Sequence, residues 1–253
     1  MAVKHLIYQV AVGDTPDYYE FCIDSVGRYA ERIGADHIVQ REPILKIAPL
    51  ASQRSKNALR LGYLPIYEKE CAFSYLGEYQ KVAIIDADVY IRDSAPDVFK
   101  EYDTPFAGVV EREMPCTVQY RNKLVKHSQG QFSSLTDVEW LWDDSGAEFY
   151  NMGVMLLSDS LLDYLDETPE KFLKRTEFER FVNGEGHWRW STDQTLLNWW
   201  LKKENVPCTR LDWRWNALYG ALKSVSGAHF VHFFLSAKLP RKGAEIPEIA
   251  GKL

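Results

Sequence analysis

The chain has 253 residues, 46% of them hydrophobic and 26% charged, which allows the packed core of one large domain and argues against disorder. Its net charge of −6 argues against a nucleic-acid binder that neutralises long runs of phosphate, but not against a site for one nucleotide assisted by a metal. The four cysteines, Cys22, Cys71, Cys116 and Cys208, are scattered without a C-x-x-C pair, which disfavours structural zinc and points to a reduced, cytoplasmic setting.

The first segment, "MAVKHLIYQVAVGD", has too short an apolar run for a signal peptide or a transmembrane segment. Within it, "HLIYQVAVG" reads as a buried strand ending in Gly13. "TPDYYEFCIDSVGRYAERIGA" then predicts a helix. Thr15 is placed to cap it, Pro16 to start its first turn and Gly34 to end it, and Cys22, Val26, Tyr29 and Ile33 recur at helical spacing. "DHIVQ" reads as a second strand, so strand, helix and strand form a βαβ unit with parallel pairing. Residues 52–78 carry a helical pattern interrupted at Pro65, and "KVAIID" and "TPFAGVV" are further strands.

Residues 111–147 show no clear periodicity, which predicts a long loop that is mobile and orders as a lid over a bound ligand. "EFYNMGVMLLS" reads as a strand with an internal glycine. Two helical patterns follow, separated near Thr168-Pro169. "STDQTLLNWWLKKE" is a helix with Ser191 or Thr192 as cap and basic residues at its end, and "AHFVHFF" is a late strand. The whole predicts a single α/β domain with a mostly parallel sheet, whose ligands bind beyond the carboxyl ends of its strands.

Asp86 and Asp88 stand at such an end, in "KVAIIDADVYIRD". Burying carboxylates is costly unless a positive group meets them. Two acids one residue apart can face a single ion from a tight turn, and their oxygens suit Mg2+ or Mn2+. A polar turn after a strand is the plainer reading of the same residues.

Five segments together resemble the GT-A-fold glycosyltransferases, in particular glycosyltransferase family 8, the glycogenin-like and bacterial galactosyltransferase group. "IIDADVYI" resembles the D-x-D segment of that group. The stretch before it resembles the helix that carries a donor-touching basic residue, at Lys69. "FYNMGV" resembles F-N-S-G-V, with Met152 in place of Ser. "DQTLLN" resembles the D-Q-x-x-L-N helix start. "HFFLSAKLP" resembles H-F-x-G-x-x-K-P, with Leu235 in place of Gly and the Pro displaced by Leu239.

The resemblance implies a GT-A-type, Rossmann-like mixed sheet flanked by helices, with residues 1–110 as a nucleotide-binding half and 111–253 as an acceptor and donor-sugar half. It implies metal ligands Asp86, Asp88 and His232, donor contacts from Lys69, Ala87, Asn151, Gly153 and Lys238, and catalytic roles for Asp193 and Gln194. His229, read as facing the same side of its strand, competes with His232 as ligand. Thr195 stands where some members carry a second acid.

The implied activity is metal-dependent transfer from a nucleotide sugar, a UDP-sugar by resemblance, to a glycan or other hydroxyl acceptor with retention of configuration. All eight tryptophans fall between Trp140 and Trp215, so an acceptor platform built from Trp142, Trp188 or Trp190 fits the second half. Tyr18 or Tyr19 is placed to stack on the base. The rival readings are a carbohydrate-binding protein without catalysis, and a metal-dependent nucleotidyltransferase or phosphatase.

Overall fold

The structure, a computed structural model, describes residues 4–48, 56–190 and 192–253. Strand β1 (His5–Val10) sends Leu6 and Tyr8 to one face and Ile7 to the other. Helix α1 (Tyr18–Ile33) buries Cys22, Val26 and Tyr29, as its spacing predicts. It starts later than Thr15 and Pro16 suggest. Asp17 holds the cap position without a side-chain bond, and the Pro16 carbonyl accepts the Tyr19 N–H at 2.9 Å. Gly34 ends α1 in the left-handed region at φ 72°, where a side chain is costly. Strand β2 (Asp36–Gln40) completes the βαβ unit.

The expected helix over 52–78 is corrected. Residues 52–55 lie outside the described residues, helix α2 covers only Lys56–Leu61, and Pro65–Tyr75 is a 3-10 helix. Every residue from 67 to 73 is buried, so this segment has no solvent face and no helical stripe to show in sequence. Strands β3 (Lys81–Ile85), β4 (Val89–Ile91) and β5 (Phe106–Val110) follow.

The expected loop over 111–147 is also corrected. It contains helix α3 (Val118–Phe132), capped by Thr117, and a small hairpin of β6 (Trp142–Asp143) and β7 (Gly146–Ala147). Of α3 only Leu124, Ser128, Gln131 and Phe132 are buried, two of them polar, so no apolar period marks it. Next come β8 (Tyr150–Ser158) and short helices α4 (Pro169–Leu173) and α5 (Glu179–Asn183). Helix α6 (Asp193–Lys203) is capped by Thr192, while Ser191 lies outside the described residues. Strands β9 (Cys208–Leu211), β10 (Ala217–Leu218) and β11 (Phe230–His232) and helix α7 (Ile246–Ala250) finish the chain.

The main sheet has the order β2-β1-β3-β8-β5-β9. The pairs β1–β2, β1–β3 and β5–β9 are parallel, and β8 is antiparallel to both β3 and β5. One reversed strand in an otherwise parallel sheet makes it mixed and mostly parallel, as expected. Both faces are buried. Tyr8, Ile84, Met155 and Leu157 pack with the 3-10 segment and the α6 residues Leu196, Trp199 and Trp200. Ile7, Ile85, Val154 and Leu156 pack with α1 and with a second sheet of order β10-β11-β4. The chain leaves β1 for β2 on one side and returns to β3 on the other. The gap between the carboxyl ends of β1 and β3 is therefore the topological switch point, where ligands bind in open α/β sheets. No helix among the described residues is long and apolar enough to cross a membrane.

Candidate functional site

A cleft of about 490 Å³ opens at this switch point. Val10 and Val12 line it from the end of β1, and Asp86, Ala87 and Asp88 from the end of β3. Asn151, Met152 and Gly153 enter from the start of β8, Asp193 and Gln194 from the start of α6, and His232 from the end of β11. The reversed direction of β8 puts its first residues beside the last residues of β3.

Asp86, Asp88 and His232 each offer a ligand atom, and these atoms lie within 4.8 Å of one another. The His232 Nε2 is 3.1 Å from Asp88 and 3.8 Å from Asp86. Burial works against a charged imidazole, but Asp88 first and then Asp86 outweigh it and hold His232 above its ordinary pKa. Two carboxylates and one imidazole are a fitting donor set for Mn2+ or Mg2+. His229 is not part of this group. It lies three residues before His232, an odd separation that turns it to the other face of the strand, and its ring packs on Trp215 with centroids 4.7 Å apart.

The chain itself supplies a positive group to Asp86. Lys69, only 5% exposed, donates to Asp86 Oδ1 at 2.9 Å and to the Met152 carbonyl at 3.0 Å, and pairs with Asp193 Oδ2 at 2.8 Å. Burial alone would lower its pKa, but Asp193 and then Asp86 raise it, so it stays charged. Two of its N–H bonds go to Asp86 and Met152, and its charge is set against Asp193. The solvated helix lysine of the plainer sequence reading is thus excluded. Beside it, the fully buried Glu70 carboxyl has no hydrogen-bond partner among the described residues, and burial first, then Asp193, raise its pKa well above the usual range.

Gly153 is needed for space rather than for a special φ. A Cβ there would stand 2.3 Å from His232 Cε1 and 2.5 Å from Nδ1. The pairing of β8 with β5 shifts at this point, from Gly108 opposite Met155 to Val109 opposite Asn151, so the close approach sits in a bulge. Asn151 donates to Glu111 Oε2 at 2.8 Å and accepts from the Gly153 N–H at 3.0 Å and from Asn216 at 2.8 Å. Gln194 accepts the Met152 N–H at 3.3 Å. Asn198 clamps the start of β8 to α6 through both the N–H and the carbonyl of Tyr150. Thr195, buried, donates to Gln131 of α3 at 2.9 Å.

Lys238 is not brought to the cleft. It is exposed, in a short 3-10 turn (Ser236–Lys238) after Phe234 and Leu235, which do line the cleft. Leu235 holds a left-handed φ of 57°, the conformation that the usual Gly would adopt without strain. Tyr19 lines the cleft, whereas Tyr18 is buried and donates to the Phe233 carbonyl. Of the loop tryptophans, Trp142 is exposed and Trp188 is half-buried against the core, donating to the Gln131 carbonyl. The Trp190 side chain lies outside the described residues.

Sequence reasoning missed Glu70, Glu111 and Asn216, and gave Asn198 no role within its motif. Asn198 and Asn216 are polar residues in aromatic runs, "LLNWW" and "WRWNALYG", whereas Glu70 and Glu111 stand among other charged residues, "EKE" and "ERE". The first pattern signals a buried polar group but not its partner.

No protein-family model matches the chain, and the comparison with curated proteins finds no match. Solved structures do resemble it. A glycosyltransferase involved in the glycosylation of the major capsid of PBCV-1 aligns with a TM-score of 0.56 at 13% identity, over 99% of this chain and 100% of that one. Mouse xyloside xylosyltransferase 1 aligns with a TM-score of 0.55 at 12% identity, over 94% and 100%. The galactosyltransferase LgtC, solved with donor and acceptor sugar analogs, aligns with a TM-score of 0.52 at 14% identity, over 98% and 96%. At such identities the likeness is one of fold, and the fold is the GT-A type.

Proposed function

We propose that the chain is a metal-dependent glycosyltransferase that moves a sugar from a nucleotide sugar, a UDP-sugar by resemblance, to a glycan or other hydroxyl acceptor with retention. One observation carries this reading. Asp86 and Asp88 converge with His232, which is far from them in sequence, in the switch-point cleft that Asn151, Asp193 and Gln194 also line. The galactosyltransferase of the same fold was solved with donor and acceptor sugar analogs, which supports a sugar donor and acceptor for this chain.

In this reading Asp86, Asp88 and His232 hold Mn2+ or Mg2+. Such an ion supplies positive charge against the diphosphate as the bond to the leaving oxygen breaks. Ala87 and Gly153 let the donor approach the backbone. Lys69 acts on the donor through Asp86 and Asp193, because its charge is paired with both and two of its N–H groups are given to Asp86 and Met152. Asn151 keeps one amide N–H for the sugar beyond the one given to Glu111. Asp193 holds sugar hydroxyls. The Gln194 carbonyl, with a second lone pair beyond the one facing Met152, stabilises positive charge developing at the anomeric carbon. Lys238, exposed and outside the cleft lining, neutralises the diphosphate once the rim that carries it closes on the donor. Residues 1–110 bind the nucleotide, and 111–253 bind the sugar and acceptor.

The test is hydrolysis of a panel of nucleotide sugars, with Mn2+ and with chelator. At least one donor is cleaved only with metal if the reading holds. Tight sugar binding with no donor cleavage would make the chain a binding protein of the same fold instead.

A further inference from the structure

The polarity of the hydrogen bonds behind His232 follows from one backbone group. The Gly153 N–H can only donate, so the Asn151 side-chain atom 3.0 Å from it is the oxygen. That leaves the Asn151 amide nitrogen toward the Glu111 carboxylate at 2.8 Å, an acceptor that requires a donor, which is an independent check on the same orientation. The Asn216 atom 2.8 Å from the Asn151 oxygen is then its nitrogen. The remaining Asn216 atom, 3.0 Å from His232 Nδ1, is its oxygen, which can only accept. Nδ1 must therefore carry a hydrogen, so a cation held between the carboxylates can be met only by Nε2; without one, Asp88, itself only an acceptor, holds a second hydrogen on Nε2. Nε2 is the atom that lies 3.1 Å from Asp88. Asn216 is 0% exposed, so no water competes for its oxygen, and the chain ends on Glu111, which also accepts from Tyr120 at 2.8 Å.

We propose that Asn216 is a positioning residue that fixes the His232 tautomer, presenting the Nε2 lone pair toward Asp86 and Asp88. The inference rests on the reading of those three residues as a metal site. Neutral histidine in water prefers its hydrogen on Nε2, so this site imposes the opposite choice. Asn216 sits just before β10, and the next strand residues are paired with β11, Leu218 with His232. The amide is thus tied to the same ladder as the ring that it orients.

Nitrogen-15 NMR of histidine-labelled, metal-free Asp88→Ala protein at alkaline pH, where the ring is neutral and no carboxylate lies within hydrogen-bond distance of Nε2, reads the tautomer that Asn216 sets; the Mn2+ titrations keep Asp88. The His232 hydrogen should lie on Nδ1. Finding it on Nε2 overturns the proposal whatever the protein does with metals. Titration of Mn2+, followed by the electron paramagnetic resonance of the free ion, gives the second readout. Asn216→Leu should move the hydrogen to Nε2 and weaken Mn2+ by 10–100-fold, the usual effect of losing a residue that orients a ligand. Asn216→Asp keeps an acceptor facing Nδ1 and should keep the tautomer, which preserves the test if the leucine variant does not fold. An unchanged tautomer and Mn2+ affinity in Asn216→Leu also overturns the proposal. Failure of wild type to bind Mn2+, with the hydrogen on Nδ1, instead removes the metal reading and leaves the tautomer assignment standing.

Discussion

The cleft has two unlike sides. Its inner wall, from Lys69 through Asp86 and Asp193 and from Glu111 through Asn151 and Asn216 to His232, is buried except for the half-buried Asp86 and Asn151, and is paired residue to residue by hydrogen bonds and the Lys69–Asp193 ion pair. Its outer rim, Phe234 to Lys238, carries an exposed lysine and a leucine in a glycine conformation. The wall is assembled before any ligand arrives, since each polar group already has a partner that fixes its direction. The rim has no such fixing. Charge on the wall is matched inside the protein, while charge on the rim is left to solvent. Catalytic sites are built this way when the reacting geometry must be preset and entry must stay open.

The sharpest way to break the wall is Lys69→Met. It leaves the buried Asp193 and the half-buried Asp86 without their cation, and removal of one partner from a buried pair costs about 3–5 kcal/mol. Urea unfolding should show this loss, with the midpoint falling and the slope unchanged. A loss near zero would mean that the acids are screened from another source. Gly153→Ala attacks the other end of the wall. The new Cβ forces the His232 ring to shift, because the contact would otherwise be 2.3 Å. Mn2+ affinity should fall about 10–100-fold, with far less change in stability. Isothermal calorimetry measures the first and a thermal melt the second.

Lys238→Ala tests the rim. It should weaken UDP by about tenfold, the lower end of the range for a charged hydrogen bond, and leave Mn2+ affinity untouched. An equal effect on metal and nucleotide would erase the distinction between wall and rim. The smallest effect belongs to Glu70→Gln. The folded carboxyl has a raised pKa, so its stabilising contribution is full below the unfolded value of about 4.3 and is lost as pH rises from there toward the folded value. The variant does not suffer that loss. Its advantage should therefore grow with pH and reach about 2–4 °C in Tm near neutrality. A gain that is constant across pH would show that Glu70 is not the group responsible.

The parts of the site legible in sequence are those whose signal is local. The acids close an apolar strand, Asp193 and Gln194 open a helix behind a threonine cap, and "FYNMGV" starts a strand, so a short window holds both the residue and its setting. The same is true of β1, β2, β3, β5, β8 and β11, each marked by a short apolar window, but not of β4, β6, β7, β9 and β10, which are too short to carry a period of their own. What could not be read depends on contacts across the chain. The cation facing Asp86 is seventeen residues upstream, in a segment with no free face and hence no period. Helix α3 looked like a loop because two of its four buried positions are polar, Ser128 and Gln131. Asn216 has meaning only once β10 lies beside β11. Lys238 shows the opposite case, where a motif spacing was legible but the side chain stands away from the cleft.

The pairing of β11 with β4 sets a limit on when this protein can acquire its ion group. Asp88 precedes β4 directly, but His232 ends the last strand to be made, and that strand must dock against β4 before the three ligand atoms meet. A nascent chain that has finished α6 has every strand of the main sheet except β9, and both aspartates, yet lacks the third ligand. Such long-range pairing is slow to form. Protection of the β4–β11 amides against hydrogen exchange should therefore appear after that of β1–β3 during refolding. Metal uptake in this reading would mark the end of folding as well as readiness for chemistry.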